Sequence, residues 1–203
     1  LGLPADITAY SGIDAMVHAI EAYTTKIKKN PISDSLAKKA LSLLGSNIRI
    51  AVNKPNNRIA RENMLLGSML AGMAFANAPC AAVHALAYPI GAKFHVPHGL
   101  SNSLVLSKVL QFNSLKAEDM YCEIAADCLP QLIGKKITMD NFIIGIEELI
   151  SDLKIPKHLK DVGISINDIP KLAEDAMKQQ RLLVNNPREL NLKDAVSIYE
   201  AAL

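Results

Sequence analysis

The stretch AAVHALAYPIGAKFHVPHGLSN, Ala81 to Asn102, decides how the chain is read. It carries three of the five histidines, His84, His95 and His98, with two prolines and two glycines. Upstream, SGIDAMVHAIEAY places Asp14 and His18 four residues apart. On a helix that spacing puts both side chains on one face, about one turn apart. A carboxylate oxygen and an imidazole nitrogen can then reach one cation at roughly 2.0–2.2 Å. One acid and three rings from these two places, Asp14, His18, His84 and His98, are read as closing around a single divalent metal.

Each residue type suits that reading. His84 stands in apolar company, where an imidazole needs either a hydrogen bond or a metal. His98 lies in Pro97-His98-Gly99, read as a loop that presents one side chain inward. Three nitrogens and one oxygen fit Fe(II) or Zn(II) better than Mg or Ca, which prefer oxygen shells. The set leaves room for a substrate oxygen, as catalytic rather than closed structural sites do. His95 is assigned to the pocket wall and His158, in PKHLK, to solvated surface. The plain alternatives are a chance Asp-x-x-x-His pair and a His84 that is simply a hydrogen-bonded core residue.

Composition sets the frame. Half of the 203 residues are hydrophobic, aromatics are 4% and there is no Trp, so the core is Ala, Leu, Ile, Val and Met. That mixture favours helices. A net charge of +2 argues for neither nucleic acid nor a membrane surface. Three cysteines, Cys80, Cys122 and Cys128, without CxxC spacing suit a reducing, cytoplasmic compartment rather than a disulfide framework. No signal peptide opens the chain, which begins at Leu1 and reads as a processed product or a piece of something longer.

The run from Asn63 to Ala92 contains no Lys, Arg, Asp or Glu. Asn77-Ala78-Pro79 interrupts it, so two helices buried on all sides are expected rather than a membrane span. Small residues, Gly67 to Ala76, should let backbones approach, and Pro79 should open the second helix. Other helices are expected from Asp6 or Thr8 to Thr25, from Ser33 or Asp34 onward, and from Arg58. Further spans are 101–111, 116–132, 139–153, 169–180 and 192–202, with Thr138 and Asn167 or Asp168 as caps. No period-two strand, GxGxxG or Walker loop is present, so residues 1–203 are read as one all-helical bundle unable to cradle a dinucleotide alone.

The words SGIDAMVHAIEAY, GSMLAGMAFANAP, AVHALAYPIGAKFHVPHGLSNSLVL and NPREL, in this order, resemble the iron-containing (metal-dependent) alcohol dehydrogenases along essentially the whole chain. The resemblance implies a dehydroquinate synthase-like C-terminal helical domain that supplies the metal ligands. It also implies a separate N-terminal domain that binds NAD or NADP, a small alcohol or aldehyde substrate, and a homo-oligomer. Carried over by position, the ligands are again Asp14, His18, His84 and His98, with His95 outside the first shell. Phe75 falls on a pocket-wall aromatic and Cys80 on a position lining the cleft near the nicotinamide. Tyr88 stands where many members have a second histidine tied to the proton route; a phenol, with a usual pKa near ~10, is a poorer base at neutral pH. Leu106-Ser107 replaces the usual Leu-Pro, read as a local difference at a helix start. Glycerol or polyol dehydrogenases, maleylacetate reductase-like enzymes, or a metal-binding helical domain without catalysis are the competing readings.

Overall fold

Helical propensity and apolar periodicity produce nine α-helices and no strand in the computed structural model, which describes residues 1–203. They are α1 (Ala5–Thr24), α2 (Pro31–Asn53), α3 (Arg58–Asn77), α4 (Ala82–Phe94) and α5 (His98–Cys128). After these come α6 (Met139–Asp152), α7 (Ile169–Met177), α8 (Gln180–Leu183) and α9 (Leu192–Ala201). α1 packs against α2, α3 and α5; α4 lies between α5 and α7; α6 and α9 close the far side of α5. Tyr121, Tyr199 and Phe142 are among the largest fully buried side chains in a core otherwise built from Ala, Leu and Ile. Tyr199 donates its hydroxyl proton to the Leu86 carbonyl (2.6 Å), tying α9 to α4.

Helix starts differ from expectation in several places. Neither Asp6 nor Thr8 caps α1: Pro4 precedes it, and the Thr8 hydroxyl donates back to the Pro4 carbonyl (2.7 Å). Asn30, not Ser33 or Asp34, caps α2, accepting from the Ile32 and Ser33 amides, with Pro31 as the first helical residue. Pro79 lies before α4 rather than in its first turn. Thr138 does cap α6, in a reciprocal box with Asn141. Asp168 precedes α7 but turns its carboxylate back to the Ser165 amide (2.9 Å) instead.

The expected helices 101–111 and 116–132 are one helix of 31 residues, α5. Leu106 and Ser107 lie inside it and are buried, so no helix starts there. A serine keeps the amide proton and lacks the ring that a proline would push into the preceding turn. The helix therefore runs on.

α4 is buried as expected, but α3 is not enclosed on all sides. Ile59, Leu65, Met69 and Met73 are exposed, Leu65 to 75%. α3 packs mainly on α1 and α2, which cover only part of its circumference. Close approach holds at Gly67, where a β-carbon would stand 2.8 Å from Leu44 Cγ, but not at Gly72, which faces open space. No single helix is long and apolar enough to cross a membrane, and α3 and α4 bend by 108° at the break between them.

Candidate metal centre

Three helices, not two helices and a loop, bring the proposed ligands together. Asp14 and His18 come from the middle of α1, His84 from the first turn of α4, and His98 is the first residue of α5. Pro97 stands at the cap position of α5, where its missing amide proton costs no helical bond. The connection between α4 and α5 is only three residues long, His95 to Pro97.

Asp14 lies among the rings. Its Oδ2 is 3.6 Å from His18 Nε2, and its Oδ1 is 3.7 Å from His84 Nε2 and 3.4 Å from His98 Nε2. His18 stacks on His84 (ring centroids 4.3 Å apart) and, on its other side, on Phe75 (4.2 Å). Exposure is graded. The His84 side chain is 2% exposed, Asp14 and His18 are about one-fifth exposed, and His98 is 45% exposed. The cluster thus has a closed end and an open one.

The electrostatics follow this gradient. Burial pushes the Asp14 carboxyl up, but the hydrogen bond and charge of His18, with His98 and His84, outweigh it and hold it below its usual range. Burial would lower His84, yet the Glu21 carboxylate and then Asp14 raise it. At His98 burial and the neighbouring rings prevail over Asp14, and its pKa is lowered.

The residues fit a divalent cation. Asn102 places its amide nitrogen where the donors converge, 2.6 Å from Asp14 Oδ1, 3.4 Å from His84 Nε2 and 3.3 Å from His98 Nε2. Its own Oδ1 is buried and has no partner. No Lys or Arg forms an ion pair with Asp14. At the point where the donors converge an amide nitrogen faces an acid and two ring nitrogens, an environment that a cation would satisfy far better. Ligating atoms lie within 4.8 Å of one another in two overlapping groups, Asp14–His84–His98 and His18–Cys80–His84. The first holds three of the four proposed ligands; His18 belongs only to the second, although its Nε2 stands 3.6 Å from Asp14 Oδ2. Burial, and then Glu21 and Asp14, push the Cys80 thiol far up, so it resists giving a thiolate.

The other sequence candidates divide. Phe75 and Tyr88 flank the cluster, Tyr88 with its ring 5.7 Å from that of His98. Cys80 sits behind His18, its Sγ 3.2 Å from Nδ1, and is only 6% exposed. It backs His18, a proposed ligand, rather than lining an open cleft. His95 ends α4 in the left-handed conformation, is exposed, and neither hydrogen-bonds to nor stacks on the cluster. A pocket-wall role for it has no contact to rest on. His158 is exposed, as expected. A cleft of about 460 Å³ between α1 and α3 includes none of the four proposed ligands.

Two residues of this centre escaped the sequence reading. Asn102 is one turn beyond His98, and Glu21 is three residues beyond His18 and 4% exposed. The spacing to a histidine was visible for both, but only burial distinguishes Glu21 from a solvated acid.

Comparison with known proteins places the chain. The pattern described as "Fe-containing alcohol dehydrogenase family, C-terminal" matches residues 8–203. The chain belongs to the Fe-containing alcohol dehydrogenase family. It is 38% identical to the 1,3-propanediol dehydrogenase of Klebsiella pneumoniae, over 100% of this chain and 52% of that protein. The crystal structure of a 1,3-propanediol oxidoreductase superposes with a TM-score of 0.94 at 37% identity, over 100% of this chain and 53% of that one. A family structure of sulfoacetaldehyde reductase from Bifidobacterium kashiwanohense, solved in complex with NAD+, gives 0.86 at 29% identity, over 99% and 51%. The chain spans about half the length of these relatives. Within the family it corresponds to the C-terminal helical portion, in agreement with the all-helical fold.

Proposed function

We propose that residues 1–203 are the helical catalytic domain of an iron-dependent alcohol dehydrogenase that exchanges hydride between a small alcohol or aldehyde and NAD(P). One observation carries the reading: a single carboxylate, Asp14, faces the Nε2 atoms of His18, His84 and His98, which arrive on three different helices. These four would hold the metal, and iron is the metal in the family's own description. Zinc fits the donors chemically but has no support among the relatives. When bound, the metal supplies Lewis-acid polarisation of the substrate oxygen.

The chain's own residues supply the rest. His98, half exposed, marks the side from which substrate enters. Phe75 covers the outer face of the His18 ring and excludes water from it. Tyr88, its ring 5.7 Å from that of His98, supplies a proton-handling group beside the proposed ligands. The buried walls around His84 contribute no competing charge except Glu21. The nicotinamide cofactor would come from a part of the longer protein outside residues 1–203, since this chain has no glycine-rich phosphate loop. Among the relatives are a 1,3-propanediol dehydrogenase, a sulfoacetaldehyde reductase and a long-chain-alcohol dehydrogenase, which support an alcohol or aldehyde substrate without fixing its length. The free cysteines fit the cytoplasm.

The test is steady-state oxidation of short alcohols and diols with NAD and NADP by the longer protein, with and without iron. Activity that needs iron and falls at least about 100-fold in His98→Ala supports the reading. Activity that survives complete chelation, or is unchanged in His98→Ala, contradicts it. The 203-residue chain alone is expected to bind iron yet show no NAD-linked turnover.

A further inference from the structure

Glu21 is the most unusual residue of the chain's interior. It is an acid, 4% exposed, on a helix whose neighbours are Ala, Ile and Val. Its only ion-pair partner is His84. Burying a carboxylate is costly unless every acceptor position is used. Here both oxygens are used. Oε2 accepts from the Ala81 amide (3.0 Å) and stands 2.6 Å from His84 Nδ1, and Oε1 accepts from the Val83 amide (2.7 Å).

The three partners form one unit. Ala81 and Val83 are the cap and second residue of α4, where backbone amides have no helical acceptor. Ala81 has no side-chain acceptor to satisfy them, so a carboxylate from α1 takes that place. The negative charge also suits the positive end of the α4 dipole. His84 is the next residue, and its Nδ1 meets the same oxygen that holds Ala81. A carboxylate can only accept, so Nδ1 carries the proton. Nε2 then keeps its lone pair, on the side facing Asp14 and His98.

We propose that Glu21 is the positioning residue of the metal centre: it locks α4 to α1 and fixes His84 as the Nδ1–H tautomer, so that Nε2 is presented as a ligand. This rests on the metal-centre reading above. A carboxylate of this kind behind a ligating imidazole raises its basicity and typically contributes about 10–100-fold to metal affinity.

The test uses Glu21→Gln, which keeps the shape but replaces one acceptor by a donor that faces a backbone amide. Two readouts are taken on the same samples: 15N NMR of the His84 ring without metal, and anaerobic Co(II) titration followed by visible absorption. Native protein should show His84 protonated at Nδ1, and Glu21→Gln should populate the Nε2–H form and raise the Co(II) dissociation constant about 10–100-fold. Glu21→Asp should recover part of the loss. Unchanged tautomer and unchanged Co(II) affinity in Glu21→Gln overturn the proposal. If Glu21→Gln does not fold, the native spectrum still decides, because an Nε2–H form there is incompatible with the proposed role. A native protein that binds no Co(II) overturns the metal-centre reading instead, while the tautomer shift still reports on Glu21.

Discussion

Gly99, in the first turn of α5, lies directly against the Tyr10 carbonyl of α1. A β-carbon on Gly99 would stand 2.6 Å from the Tyr10 carbonyl carbon and 3.2 Å from Asp14 Cβ. Only a residue without a side chain lets the two helices meet here, and that meeting sets His98 beside Asp14. The glycine of the Pro-His-Gly word therefore serves helix packing, not a loop.

Gly99→Ala should push the start of α5 away from α1. Overpacking of this kind costs about 1–3 kcal/mol. Chemical denaturation should show a lower midpoint at unchanged m-value, and Co(II) affinity should fall although no ligand has been altered. Full stability and full affinity would mean that the backbones adjust freely at this contact.

Asn113 and Asn186 bond each other reciprocally across the core. Asn113 Nδ2 donates to Asn186 Oδ1 (2.9 Å), and Asn186 Nδ2 donates to Asn113 Oδ1 (2.7 Å). Both are buried. Replacing either by Ala leaves the other's buried Oδ1 without a donor, at a cost of about 1–3 kcal/mol, although Asn113 keeps Tyr121 and Asn186 keeps the Arg188 carbonyl. The double variant should lose clearly less than the sum, by at least about 0.5 kcal/mol in a double-mutant cycle. Simple additivity would show that the pair does not act as a unit.

Asp175 joins α7 to the end of α4. It accepts from Lys178 (2.6 Å) and pairs with Lys93 (2.9 Å). The Lys178 hydrogen bond, followed by that of Lys93, holds its carboxyl down to about 2. A depressed carboxyl adds stability above its unfolded value, near ~3.9, and loses it as pH falls towards the folded value. Thermal unfolding should therefore worsen between about pH 4 and pH 2 in native protein, and less steeply in Asp175→Asn. Because the partner lysines are solvent-exposed, the difference should be small and should shrink in high salt. Identical acid limbs would count against the pairing.

Much of this arrangement was readable beforehand. Asp14 and His18 declared themselves by helical spacing, and His84 and His98 by being polar in an apolar run and beside a Pro-Gly turn. The helix spans were legible where caps are strong, as at Thr138. They were not legible where a cap comes from outside the expected start, as at Asn30. The sequence reading ends one helix at 111 and starts the next at 116, across Asn113 and Ser114, which are weak helix formers. In the structure Asn113 is paid for by its bond to Asn186, a partner 73 residues away that no local pattern reveals. Glu21 was hidden for the same reason, since its partners are 60 to 63 residues distant. The uncharged run made α3 look enclosed, yet charge absence does not say which faces find neighbours, and Leu65 is largely exposed.

The claim on which the account rests is that Asp14, His18, His84 and His98 hold one ion together. Anaerobic equilibrium dialysis of the protein against Fe(II), with His84→Ala and Asp14→Asn alongside, tests it most directly. One tightly held iron per chain, with affinity lowered by more than about 100-fold in either variant while helical circular dichroism is retained, is the predicted result. Iron bound equally well by both variants, or not at all by the native chain, would contradict it.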